Sequence, residues 1–269
     1  MNPLLEVQGL GKRFGGFVAL GDINLSVAQG ERLGLIGPNG SGKSTLVNCM
    51  CGTLTNESGT VRFDGHAMNG LTAHERTHRG IARSFQLPRP FGTLTVAENL
   101  RIPLLYTVNA RAHTEIKTHA HTHLNHAQLE ARCAELLGLV GLAEKAAKMP
   151  RDLTQVEMRK LELARAMAAE PKLLIADESM AGLSQSEVAE IVSLLIRLNE
   201  RGITIILIEH IMRAVMSFSQ RLVVLVSGKK IADGKPEDVV NNPEVVWAYL
   251  GQLHHHRENR RRLWRGARA

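Results

Sequence analysis

The sequence predicts an α/β fold in which a parallel sheet delivers polar side chains to one edge, around a phosphate-binding loop. Three observations lead there. The stretch Gly37 to Thr45, reading Gly-Pro-Asn-Gly-Ser-Gly-Lys-Ser-Thr, stands between an apolar run, Leu33 to Ile36, and a helix-compatible run, Leu46 to Cys51. Two more apolar runs, Leu173 to Ala176 and Ile203 to Ile208, end in Asp177-Glu178 and Glu209-His210. Parallel strands buried on both faces read in this way and present their C-terminal ends to ligands. Helical patterns at 158–169 and from Ser184 to about Arg201 alternate with these runs.

The loop at 37–45 has a specific physics. Gly37, Gly40 and Gly42 allow backbone conformations closed to residues with a Cβ and turn successive N–H groups toward one point. The helix beginning near Lys43 adds unpaired N–H groups and the positive end of its dipole. Lys43 can reach the β- and γ-phosphates, and the Ser44 hydroxyl can ligate Mg²⁺. The pattern therefore points to a nucleoside triphosphate.

Composition sets the outer bounds. The chain has 269 residues, of which 44% are hydrophobic, enough for a substantial core in one domain with a subdomain, or in two domains. No apolar run is long enough for a membrane helix, and Met1 to Leu10 lacks a signal-peptide pattern, so the chain is expected to stay in the cytoplasm. Cys49, Cys51 and Cys133 are too few and scattered for a disulfide framework and are expected to be packing residues. The net charge is +7, but Arg257, Arg260, Arg261, Arg262, Arg265 and Arg268 stand against Glu258 alone at the C-terminus. The excess is mostly local, so a nucleic-acid partner is not expected.

In chain order, Leu4 to Val7, Ile23 to Val27 and Arg32 to Ile36 alternate or run apolar between Gly, Asp and Gln clusters. They are expected as short strands, with an antiparallel layer opening the fold. Phe14, beside Gly15 and Gly16, is placed either to lie over an adenine face or to pack at a rim. Gly59 to Gly65 and Ile81 to Phe85 read as strands, the second leading into Gln86. That amide could bridge a metal-bound water and a phosphate oxygen, or be an ordinary exposed glutamine. Pro88, Pro90 and Pro103 interrupt the next region before the pattern turns helical.

Thr107 to Gln128 is polar and histidine-rich. On a helix His119, His123 and His126 would share a face at a spacing able to hold Zn²⁺. No cysteine or carboxylate joins them at matching spacing, so a solvated surface segment is the favoured reading. Leu129 to Leu142 resumes helical spacing. Thr154 with Glu157 forms a capping box that starts the next helix, and Ser184 with Glu187 forms another, with Gly202 as the stop. Arg221 to Val226 and Lys230 to Asp233 form a hairpin around Ser227-Gly228, and Pro243 to Leu250 a final short helix. Of the two acids after Ala176, one can hold Mg²⁺ through water and the other can orient an attacking water.

These residues resemble the ATP-binding subunits of ABC transporters, most closely those of bacterial branched-chain amino acid importers. The likeness runs from about Leu4 to Gly251. It is carried by Arg13-Phe14-Gly15-Gly16, Ala82-Arg83-Ser84-Phe85-Gln86, Thr95-Val96-Ala97-Glu98-Asn99-Leu100, Leu161 to Ala166, Ala181-Gly182-Leu183, Ile208-Glu209-His210 and Asn242-Pro243-Glu244-Val245. The resemblance implies a P-loop NTPase (RecA-like) core at 1–87 and 170–251 with an N-terminal antiparallel β layer. It also implies an inserted helical subdomain at 88–169, which would meet a permease, and a basic tail at 252–269. ATP and Mg²⁺ would be bound by Gly37, Asn39, Gly40, Ser41, Gly42, Lys43, Ser44 and Thr45. Phe14 would stack on adenine, and Ser44, Gln86 and Asp177 would serve the metal. Glu178 would polarise the water, His210 would contact the γ-phosphate, and Gln86 would sense both the metal and the membrane partner.

The chain departs from the family where such proteins carry a Leu-Ser-Gly-Gly-Gln signature that grips the nucleotide of the opposite subunit. Here Thr154, Gln155, Val156 and Glu157 follow Leu153. Thr154 keeps a hydroxyl, but Val156 limits close backbone approach and Glu157 brings a carboxylate toward a phosphate. Ser179 and Ser184 also replace the usual residues after Asp177-Glu178. The chain's own site is thus expected to be complete and the signature it offers degraded, which favours a heterodimer with a second ATPase subunit. The expected partners are that subunit, two transmembrane permease subunits and, indirectly, an extracytoplasmic substrate-binding protein, at the cytoplasmic face of the inner membrane. Two other readings carry weight: a nucleotide-gated module impaired in hydrolysis, and a nucleic-acid-acting ATPase of the same superfamily, suggested by the arginine-rich tail.

Overall fold

The computed structural model describes residues 3–84, 88–108 and 124–249. Two sheets organise it. The first is antiparallel, in the order β2-β1-β4-β5, from β1 (Leu5–Phe14), β2 (Phe17–Val27), β4 (Ser58–Phe63) and β5 (His66–Ala67). The second follows the order β10-β9-β3-β8-β7-β6. Its strands are β3 (Arg32–Ile36), β6 (Ile81–Ser84), β7 (Leu173–Asp177), β8 (Thr204–Ile208), β9 (Arg221–Val226) and β10 (Lys229–Gly234). All its pairings are parallel except the closing hairpin of β9 and β10.

Two sequence expectations need correction. Arg32 to Ile36 does not belong to the opening antiparallel layer; it is an interior strand of the parallel sheet, paired with β8 and β9. Its burial on both faces is the reason, since Leu33, Leu35 and Ile36 are all within 1% of full burial. The place it vacates is filled by β4, which pairs with β1. The first strand is also longer than Leu4 to Val7, because Gly9 at φ 59° and Asp22 at φ 56° let β1 and β2 shift register without ending.

The helices follow their caps. Those on the core are α1 (Lys43–Cys51), α2 (Ala73–His78), α6 (Gln185–Glu200), α7 (Met212–Phe218) and α8 (Pro236–Val240). Between β6 and β7 lie α3 (Val96–Pro103), α4 (His126–Val140) and α5 (Gln155–Met167). Residues 243–249 are helical as well. Both anticipated capping boxes form, at Thr154/Glu157 and Ser184/Glu187, and three more stand at Thr72/Glu75, Thr95/Glu98 and Asn125/Gln128. Helices α2 and α7 are too short to raise a periodic signal of their own.

One apolar cluster sets Leu100, Leu137, Leu161 and Leu163 of α3, α4 and α5 against Leu174 and Ala176 on one face of the parallel sheet. On the other face Leu46, Val47 and Met50 of α1 join Ile175, Ile206 and the inner face of the antiparallel sheet. All three cysteines are buried in these clusters and unpaired. Of the histidine face, His119 and His123 lie outside the described residues, while His126 opens α4.

Candidate nucleotide-binding site

β3 runs parallel to its neighbours up to Ile36, opposite Val224, and the chain then leaves the sheet. At Gly37 an added Cβ would lie 2.1 Å from the Leu225 carbonyl oxygen, so only hydrogen fits. Gly42 takes φ 102° and caps α1, and at Gly40 a Cβ would meet nothing within 4 Å, because that position opens on a cleft. The cleft, about 240 Å³, is lined by Phe14, Phe17, Ala19, residues 39–45 and Glu178. Lys43 is buried, and its Nζ donates to the carbonyls of Gly37 at 2.6 Å and Pro38 at 3.1 Å. Burial lowers the pKa of that ammonium, while the charges of Glu178 and Asp177 oppose the shift.

The carboxylates stand at the end of β7. Asp177 is the last residue of the strand, opposite Ile208. Glu178 adopts φ 47°, left-handed and unusual for a residue with a side chain, held by its N–H to the Ile208 carbonyl at 2.9 Å. The turn sends the Glu178 carboxylate into the cleft, where Oε1 lies 3.0 Å from His210 Nε2. Behind it Glu209 is buried and accepts from the Met180 N–H at 2.8 Å, which ties the residues after Glu178 to the end of β8. Burial pushes the Glu209 pKa up, against two backbone N–H donors that favour the charged form.

The donor set fits a magnesium polyphosphate. A glycine-built cradle, a buried ammonium and a helix N-terminus face the cleft, the Ser44 hydroxyl and the Glu178 carboxylate line it with hard oxygens, and Asp177 ends the strand just before Glu178.

A family model described as ABC transporter matches residues 20–181, and one for the branched-chain amino acid ATP-binding cassette transporter matches residues 229–255. The chain belongs to the ABC transporter family and is one of its ATPases. It is 38% identical over 252 residues to a high-affinity branched-chain amino acid transport ATP-binding protein of Pseudomonas aeruginosa, covering 93% of this chain and 98% of that one. Against the protein of the same description from Escherichia coli, identity is 39% over 259 residues, with the same coverage. Among solved structures, the ADP conformation of an ABC transporter cassette aligns with TM-score 0.82 and 30% identity, over 93% of this chain and all of that one. A dimeric cassette in a post-hydrolysis state with ADP and Pi aligns with TM-score 0.74 and 26% identity, over 86% of this chain and 98% of the other.

Within this ABC ATPase, the expected nucleotide residues fall into one neighbourhood. Phe14, Asn39, Gly40, Ser41, Gly42, Lys43, Ser44, Thr45 and Glu178 line the cleft, with Gly37 at the loop's base and Asp177 and His210 beside Glu178. Gln86 lies outside the described residues. The signature residues Thr154, Gln155, Val156 and Glu157 are not in this cleft; they open α5, where Gln155 Nε2 donates to the Ala181 carbonyl at 3.3 Å. The Glu157 carboxylate is turned back on its own chain, accepting from Thr154 N–H at 2.9 Å and pairing with Lys145 at 2.6 Å. Val156 packs against the apolar cluster of the helical region.

Sequence reasoning assigns no role to Phe17 and Ala19, which line the cleft, or to Glu209 and Arg83, which hold the residues around it. Phe17 begins β2 opposite Phe14, so the Gly15-Gly16 turn could have paired them. Arg83 shares a face of β6 with Ile81 and reaches Asn48 of α1, so period-two reading puts a charge on the side of the sheet that packs against the helix of the phosphate loop.

Proposed function

We propose that this ATPase powers an importer of branched-chain or related amino acids from the cytoplasmic face of the membrane, coupling ATP hydrolysis to movement of permease subunits. The support for the cargo class is the run of relatives so described, at 38–39% identity across nearly the full length of both chains. The observation that carries the chemistry is Glu178 held in the cleft at 3.0 Å from His210, facing the loop that buries Lys43.

Bound Mg²⁺ would neutralise phosphate charge and orient the triphosphate. Ser44 and Asp177, with Gln86, would hold it, and Phe14 would carry the adenine. Lys43 exchanges its contacts with Gly37 and Pro38 for phosphate oxygens, a change its desolvated ammonium favours. Glu178 takes the proton of the attacking water, and His210, 3.0 Å away, fixes that carboxylate and would contact the γ-phosphate. The helical region at 88–169 meets the permease. A groove of about 300 Å³ there, lined by Phe91, Ile102, Pro103 and Tyr106 beside Arg83, offers an apolar seat for a permease helix.

A second ATPase subunit completes the machine. Glu157 is committed to Lys145 and Val156 to the helical core, so the N-terminus of α5 is a poor grip for a nucleotide held by the partner. A heterodimer with an intact partner signature leaves this chain's own site the productive one. Phosphate release by the purified chain, alone and with a candidate partner subunit, tests this: stimulation by the partner is expected. A cooperative homodimer indifferent to any second subunit contradicts it. Phosphate release also separates this reading from a nucleotide-gated module without useful hydrolysis.

A further inference from the structure

Arg83 stands between the metal carboxylate and the groove. It is the third residue of β6, next to β7 in the sheet. Its Nε and Nη2 converge on one oxygen of Asp177, Oδ2, at 3.2 and 2.5 Å, and Nη1 donates to Asn48 Oδ1 of α1 at 2.7 Å. Both charged side chains are well covered, 16% and 9% exposed. The same arginine lines the groove together with Ala82, Phe91, Tyr106 and Glu162.

A guanidinium clamped on a covered carboxylate is a charge-assisted pair stronger than its exposed equivalent. A dication brought to that carboxylate needs the same negative charge and is repelled by the guanidinium beside it. Water cannot screen the conflict well at this depth. Full contact of Asp177 with Arg83 and full use of Asp177 by a metal therefore oppose each other.

We propose that Arg83 is a positioning residue that holds Asp177 until Mg²⁺ arrives with the nucleotide, competes with the metal for it, and passes the exchange to the groove. The inference rests on the reading of Asp177 as the metal carboxylate. In the metal-free state the arginine keeps Asp177 from repelling the incoming phosphates. Once the metal takes the carboxylate, the guanidinium is released on the side where β6 and the groove meet.

The test is a Mg²⁺ titration of fluorescent ATP-analogue binding to the full chain, with no turnover read. In Arg83→Gln the Mg²⁺ concentration for half-maximal binding should fall about tenfold, the low end of what a hydrogen bond to a charged group is worth. Binding without Mg²⁺ should weaken, because a positive charge near the phosphates is gone. Arg83→Lys, which keeps charge but loses the two-donor fork, should fall between the two and carries the comparison if Arg83→Gln does not fold. A fluorophore on Tyr106→Cys, in a chain whose native cysteines are buried, should respond to Mg²⁺-nucleotide with Arg83 present and not with Gln there. An unchanged or raised Mg²⁺ requirement in Arg83→Gln, or an identical groove response, overturns the proposal. Asp177→Asn separates it from its premise. No effect of that change on the Mg²⁺ requirement removes Asp177 from the metal and the proposal with it. A raised requirement there, with Arg83→Gln unchanged, removes only Arg83.

Discussion

Phe14 shows how far a single residue can be read. It is 49% exposed at the rim of the cleft, and Lys12 Nζ lies 5.5 Å from its ring centroid. An aromatic left half in water beside a phosphate loop has a face to offer, and Phe14→Ala should weaken ATP-analogue binding about tenfold, the scale of one base stacked on a ring. Inorganic triphosphate competing for the same site should be unaffected, and equal loss for both would place Phe14 in packing instead. Glu157 gives a pH prediction. Its pairing with Lys145, then the Thr154 N–H, holds its carboxyl below the usual range. A group with a depressed folded pKa adds stability above its unfolded value and loses it as pH falls through the folded one. The melting-temperature gap between wild type and Glu157→Gln should therefore be present at neutral pH and close below the ordinary carboxylate range; a gap constant with pH would contradict the pairing.

Elements whose signals are local were legible in the sequence. Helix α5 starts where Thr154 and Glu157 put it, because the capping box satisfies helix N–H groups within four residues. Removing the box with Thr154→Ala should cost about 1 kcal/mol in a denaturant titration. The same is true of β7 and β8, whose uninterrupted apolar runs need no partner to be recognised. What could not be read are contacts made across the sheet: the position of β3 between β8 and β9, and the reach of Arg83 to Asp177 over 94 residues of chain. Such facts depend on strand order, which hydrophobic period does not encode. At the signature, Val156→Gly in the assembled pair should raise turnover at the partner's site, read by disabling this chain's own site with Lys43→Ala. An unchanged rate would clear Val156 of that effect.

At the scale of the molecule, strand order is what makes a site. β3, β7 and β8 are neighbours and end at the same edge, so the loop, the two carboxylates and His210 arrive together although they are far apart in sequence. On the proposed reading, pairing with a second ATPase and a permease would convert closure over the nucleotide into motion. The most direct test of this account is phosphate release by the chain assembled with its partner subunit, with ATP binding measured alongside, comparing wild type with Glu178→Gln. Binding should be retained while turnover falls by about two orders of magnitude or more, as expected for loss of a general base; turnover equal to wild type would contradict the assignment of hydrolysis to this cleft.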